Sequence, residues 1–259
     1  MIKKTTLNLS NFDTFNVKYM DYMFYYCESL ISIDLSSFNT FYTESMESMF
    51  FLCSSLISLD LSNCQLYYTN IDSCFWGCKS LKSIKFYEEY ENIVYGDYLF
   101  KDCSSLISID FHSFTFEGQM TYIFSGCTSL TSIDLSNIKT DDVFNMGYMF
   151  EGCIQLKELN LSKWDTSNVT SINSMFYDCN SLISLNLKNF ETSLVTDMKN
   201  TFFNCFKLES LDLSNFDTSL VTDMQGMFYG CTSLKYLNIS NFDTSLVKKP
   251  PGLPSCLPP

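Results

Sequence analysis

Arginine and alanine are absent from this 259-residue chain, and histidine occurs once, at His112. The first two absences read as coding bias without a physical consequence. The third is informative, because a Ser-His-Asp arrangement would have to be assembled around His112 in one irregular stretch, with no repeated acid or nucleophile beside it. The spacing Cys74-x-x-x-Cys78 likewise makes no zinc motif without a second pair or a nearby histidine. A Gly-rich phosphate loop is missing. No apolar run approaches the roughly 18 residues that span a bilayer, so membrane insertion is not expected. Proline is missing until the last ten residues, which hold all five and mark the stretch from Lys248 as irregular. Positive charge is scarce: sixteen lysines stand against 29 Asp and Glu, a formal net charge of −13 with a pI near 4.4. Such a surface repels phosphate backbones and anionic membranes, which speaks against a nucleic-acid partner.

What is present is repetition. Asn215 to Met224 matches Asn189 to Met198 at nine of ten positions, and the period is marked by Cys27, Cys53, Cys78, Cys103, Cys127, Cys153, Cys179, Cys205 and Cys231, in steps of 24 to 26. A period of that length predicts a solenoid, counted as one elongated domain. Residues 1–247 form it and 248–259 make a Pro-rich tail. Three residues after each cysteine comes a leucine, followed by the pattern Leu-x-x-Leu-x-Leu-x-x-Phe, as in Leu208, Leu211, Leu213 and Phe216. Alternation at period two marks a strand. Ten strands are expected, centred on Asn8, Asp34, Asp60, Lys85, Asp110, Asp134, Asn160, Asn186, Asp212 and Asn238, with nine Cys-marked turns between them. Upstream of each cysteine the apolar spacing becomes i, i+3, i+4, i+7, as in Met224, Met227, Phe228 and Cys231. That stripe predicts a helix of about two turns. Thr222 and Gln225 fit a capping box at its start. The units between Lys79 and Gln119 depart from the pattern, and altered loops are expected there.

The combination of Leu-x-x-Leu-x-Leu with Met175, Phe176, Cys179, Ser181, Leu182, Leu185 and Leu187 at fixed offsets, beside Asn-Phe-Asp-Thr-Ser, resembles the BspA-like leucine-rich repeats, the bacterial surface protein 26-residue repeat family. The resemblance runs from about Leu7 to Val247. It implies an α/β solenoid, a leucine-rich-repeat-like horseshoe with a parallel strand sheet on the concave face and short helices on the convex face. It also implies a surface-exposed or secreted adhesion or interaction protein, although neither a secretion segment nor a wall anchor is read in this sequence.

Within that architecture the side chains between the core leucines face outward, so Asp34, Asp60, Asp110, Asp134 and Asp212 share a row with Asn8, Asn160, Asn186 and Asn238. Carboxylates one strand spacing apart repel. Hydration, hydrogen bonds to flanking serines or a bound cation would each relieve the repulsion. The row is open to three readings: solvated repeat consensus, a partner-binding face, or a metal site. Unit-specific exposed residues favour binding, and the candidate set is Asp34, Asp60, Lys85, Tyr87, Asp110, His112, Asp134, Glu158, Asn160, Asn186, Asp212 and Asn238. The cysteines read as compact buried thiols, and Thr14, Thr40, Thr140, Thr166, Thr192, Thr218 and Thr244 as turn residues. The expected function is a non-catalytic protein-interaction module without cofactor, binding a protein or polar extracellular ligand, with end-to-end self-association open to its exposed termini. The alternative is a structural spacer within a larger repeat protein.

Overall fold

The computed structural model describes residues 5–9 and 11–248. All but the first residue of the expected tail lies outside them. Twelve strands are described: β1 (Thr5–Asn8), β2 (Leu30–Asp34), β3 (Ser58–Asp60), β4 (Tyr67–Asn70), β5 (Ser83–Lys85), β6 (Asn92–Tyr95), β7 (Phe114–Gln119), β8 (Ile138–Asn145), β9 (Glu158–Asn160), β10 (Ser184–Asn186), β11 (Ser210–Asp212) and β12 (Tyr236–Asn238). Every strand pairing among the described residues is parallel, between segments about one repeat apart, so the chain winds as a solenoid of stacked coils.

Eight strands form the expected face. Their alternation is the cause: Leu59 points inward between exposed Ser58 and Asp60, as Leu159 and Leu211 do on β9 and β11. The register stacks like on like, Leu59 on Ile84, Leu159 on Leu185 and Leu211 on Leu237. The sheet is nonetheless interrupted. It consists of the separate pairs β1-β2, β3-β5, β9-β10 and β11-β12, and the residues around Asp110 and Asp134, expected to centre two more strands, carry no ladder.

The expected helices are a correction, for none occurs among the described residues. In the coil ending at Cys205, the N–H groups of Met198, Asn200, Phe202 and Asn204 donate forward to the carbonyls of Asp223, Gln225, Met227 and Tyr229 in the next coil, at 2.7 to 3.0 Å. The residues between close three-residue turns, as Phe203 N–H does onto Asn200 O at 3.0 Å. An α-helix would satisfy these groups internally. Here they join coils instead, and the path is possible because Asn200 and Asn204 adopt positive φ, 55° and 58°. Every coil repeats this pair, one and five residues before its cysteine. A right-handed helix has no place for left-handed residues. The capping box fails with the helix: Gln225 N–H goes to Asp223 Oδ1 at 2.8 Å, and the Thr222 hydroxyl donates to Thr196 O at 3.3 Å.

Between the two faces lies a core of repeated rungs. Phe24, Phe50, Phe75, Phe100, Phe124, Phe150, Phe176, Phe202 and Phe228 form one continuous stack, with ring centroids 5.2 to 5.9 Å apart and planes within 17°. Beside them the eight period-marking thiols from Cys53 to Cys231 each donate to the carbonyl of the phenylalanine one coil back, as Cys153 Sγ does to Phe124 O at 3.1 Å. All described cysteines are free thiols, and burial raises those of Cys53 and Cys64 to about 12. The threonine row is likewise internal from Thr14 to Thr218, while Thr244 is exposed. Thr166 is buried, its hydroxyl donating to Glu191 O at 2.9 Å and accepting Glu191 N–H at 2.7 Å. These threonines stitch coils together.

The irregular units are the second correction. Where altered loops were expected, between Lys79 and Gln119, β6 and β7 instead form the middle of a four-stranded parallel sheet in the order β4-β6-β7-β8, on a different side of the coil from the first face. Elsewhere this side holds only single bridges, Tyr19 to Ser45 to Asn70 and Asn145 to Ser171 to Asp197 to Asp223. The sheet widens where Asp-Thr-Ser gives way to β-formers with buried alternate residues, such as Asn92 and Val94 on β6, and Phe114 and Phe116 on β7.

Candidate partner-binding face

The candidate residues occupy three places. Asp34, Asp60, Lys85, Glu158, Asn160, Asn186 and Asp212 are exposed on the strand face and Asn238 is half-buried there, while Asp110 and Asp134 lie exposed in the unpaired stretches of the same face. The structure brings four of them into one groove of about 400 Å³: Asp134, Glu158, Asn160 and Asn186, with Ser132, Ser184 and Ser210 between. His112 stands apart. Its Nε2 lies 3.2 Å from Glu88 and 3.4 Å from Asp110, and it borders a second groove with Lys139, Lys163 and Trp164. Tyr87, half-buried, borders a third with Phe15 and Phe41 and donates to Glu89 at 3.2 Å.

Most of the acid-and-amide row has structural work as well. Asp34, Asp60, Asp134, Asn160, Asn186, Asp212 and Asn238 each accept the N–H two residues on, at 2.9 to 3.2 Å, closing the turn that ends the strand segment. Hydrogen bonds to the charged form favour it. These contacts hold the carboxyls of Asp34, Asp60, Asp134 and Asp212 below their ordinary value. Register relieves part of the expected repulsion, for Asp60 pairs with Lys85 and Asp212 with Asn238.

Two features escaped sequence reasoning. On the turn face a second acidic row passes through Glu47, Asp72 and Asp97. Asp72 accepts Asp97 N–H at 2.7 Å, and burial, with the charges of Asp97 and Glu47 adding to it, raises its carboxyl to about 6. The same face carries a stack of Trp76, Tyr98, Tyr122 and Tyr148, centroids 4.5 to 5.3 Å apart, with Lys101 Nζ 4.1 Å from the Tyr122 centroid and 5.0 Å from that of Trp76. The residue types were visible, but their alignment into one stack depends on the coil path. Among the described residues no group of three His, Cys, Asp or Glu could hold a metal ion, and no helix is long and apolar enough to cross a membrane.

No curated protein matches the chain. Among solved structures it is similar to a leucine-rich repeat protein from Bacteroides ovatus, at 19% identity over 88% of this chain and 70% of that one, TM-score 0.40. A leucine-rich cell surface protein from Faecalibacterium prausnitzii is similar at 17% identity over 85% and 76%, TM-score 0.33. The TLR13–ssRNA13 complex is similar at 15% identity, TM-score 0.38, with 88% of this chain spanning 35% of the receptor chain. The BspA-like repeat read in the sequence is the unit of a family that covers most of this chain. On matches over residues 2–90, 96–205 and 181–252, the chain belongs to the family described as Mycoplasma protein of unknown function, DUF285.

Proposed function

We propose that the chain is a non-catalytic recognition module that binds a protein or polar extracellular ligand through its strand face, at the cell surface or in secreted form. The observation that supports this is the groove lined by Asp134, Glu158, Asn160 and Asn186. There, consecutive coils expose different polar groups above a floor of Ile133, Leu159 and Leu185, as a surface selected for contact would. Residues 1–247 act as one array, and the residues beyond as its tail. Coil stacking through backbone N–H and C=O is also the contact that end-to-end self-association would extend. A structural spacer is the second reading, favoured by the near-identity of Asn189–Met198 and Asn215–Met224.

Reversing charge at Asp110 and Glu158, exposed positions that close no turn, separates the two readings. In a pull-down against host-surface and matrix proteins, the Asp110→Lys/Glu158→Lys variant is expected to lose a partner the wild type retains. Equal capture by both forms sinks the recognition reading. Light scattering on the same samples should grow with concentration where coils stack end to end; a constant monomer mass removes that part.

A further inference from the structure

We propose that the outer face of the four-stranded sheet is a second docking surface, separate from the strand face, and that its occupant is an extended polypeptide bearing lysine side chains. Eighteen of the twenty described residues with positive φ fall in the paired turns before the cysteines; the other two are Tyr68, at 53°, and Gly118, at 80°. Both belong to this sheet; glycine adopts such a φ freely, whereas at Tyr68 it is backbone strain of the kind that gathers at binding sites. Tyr68 is the extra residue where Tyr67 and Thr69 of β4 oppose the adjacent pair Ile93 and Val94. Phe144 is the extra residue where Val143 and Asn145 of β8 oppose Gly118 and Gln119. A bulge re-aims a side chain. A third irregularity lies between the Thr115–Lys139 and Glu117–Asp142 pairs; the two at Tyr68 and Phe144, on the sheet's outer strands, leave their rings 50% and 47% exposed.

Between them stands Tyr95, 41% exposed. A Cβ added to Gly118 would sit 3.6 Å from the Tyr95 ring and 3.9 Å from the Phe144 ring, so two rings flank a floor of bare backbone. The absent side chain keeps that floor open.

Charge names the occupant. Tyr95 and Glu117 each follow the Val94–Phe116 pair, which sets them side by side across the β6–β7 ladder, and Glu117 pairs with Asp142 of β8; Asp142 and its neighbour Asp141 are exposed. The lysine on this sheet, Lys139, is already paired with Glu91 at 2.7 Å. Aromatic faces rimmed by carboxylates attract an ammonium group through the ring quadrupole and by ordinary Coulomb attraction. The chain itself shows the arrangement on its turn face, where Lys101 lies over Trp76, Tyr98 and Tyr122.

The test uses the full chain and a fluorescent peptide of alternating Lys and Gly, read by anisotropy at physiological ionic strength. Replacing both rings, Tyr95→Ser/Phe144→Ser, is expected to weaken binding at least roughly fivefold, the scale of one or two cation–π contacts. Neutralising the rim, Glu117→Gln/Asp142→Asn, should weaken it and flatten its salt dependence. A charge-matched pair of exposed carboxylates elsewhere, Glu28→Gln/Glu191→Gln, should bind like wild type. Should the double ring variant melt early, the rim variant carries the test, because it leaves every ring in place. Wild-type affinity in the ring and rim variants overturns the proposal. So does an equal loss in the control, or displacement of the peptide by a neutral gluco-oligosaccharide.

Discussion

A carboxyl buried beside other carboxylates works against its own fold at neutral pH, and Asp72 is such a group. Its folded value, about 6, stands above the ordinary aspartate value of 3.8, so the folded state takes up a proton that the unfolded chain does not. The sign follows: the ionised carboxylate destabilises the fold above pH 6, and that penalty is relieved as pH falls from about 6 to about 4. Asp72→Asn keeps an oxygen for Asp97 N–H and removes the charge. It is expected to raise the melting temperature at pH 7.5 and to have no effect at pH 4; melts across that range that differ by a constant amount would contradict it. The turn-closing aspartates act in the opposite direction. Asp34, Asp60, Asp134, Asp165, Asp212, Asp217 and Asp243 are held below their ordinary value by the N–H and hydroxyl groups they bind, so their contribution is present above that value and is lost in stronger acid. Their role was readable as Asp-x-Ser, the turn acceptor followed by its donor. The residues that form the candidate groove were readable as a row, but not as a groove, because which neighbours share it depends on coil register.

At the scale of the element, the left-handed pair defines the turn. At Gly230, φ is +78° and an added Cβ would come 3.0 Å from Asn204 Cα, so Gly230→Ala suffers both backbone strain and a clash. It is expected to destabilise the chain by about 1 to 3 kcal/mol, measured by urea unfolding, while Asn204→Gly changes little or stabilises; a neutral Gly230→Ala would show that the turn is drawn wrongly. The strands were legible because period two has no competitor over Leu-x-Leu. The turns were not, because Met198, Phe202 and Cys205 at i, i+4 and i+7 fit a helical stripe equally well. The deciding clue stood one residue before the cysteines, where Gly77, Asp102, Gly126, Gly152, Asp178, Asn204 and Gly230 are the types that tolerate positive φ. The sheet of β4, β6, β7 and β8 left no such clue. Its segments share no common motif, and their strand character comes from pairing with a neighbour a full coil away.

At the scale of the molecule, contacts join each coil only to its neighbours, so stability is a sum of coil and interface terms and opening proceeds along the array. The sulfur row turns that property into a measurement. Each coil holds one thiol hydrogen-bonded to the coil before it, and apart from half-buried Cys27 each is sealed from solvent. A sealed thiol with a raised pKa is unreactive until its coil separates. Under mild denaturant, alkylation followed by peptide mass spectrometry is expected to mark Cys27 first, then Cys231 and Cys53, and Cys127 and Cys153 last; simultaneous labelling of all would mean a single cooperative opening. Evenly spaced sulfur thus gives the chain an internal ruler, on which the advance of unfolding can be timed coil by coil without adding a probe.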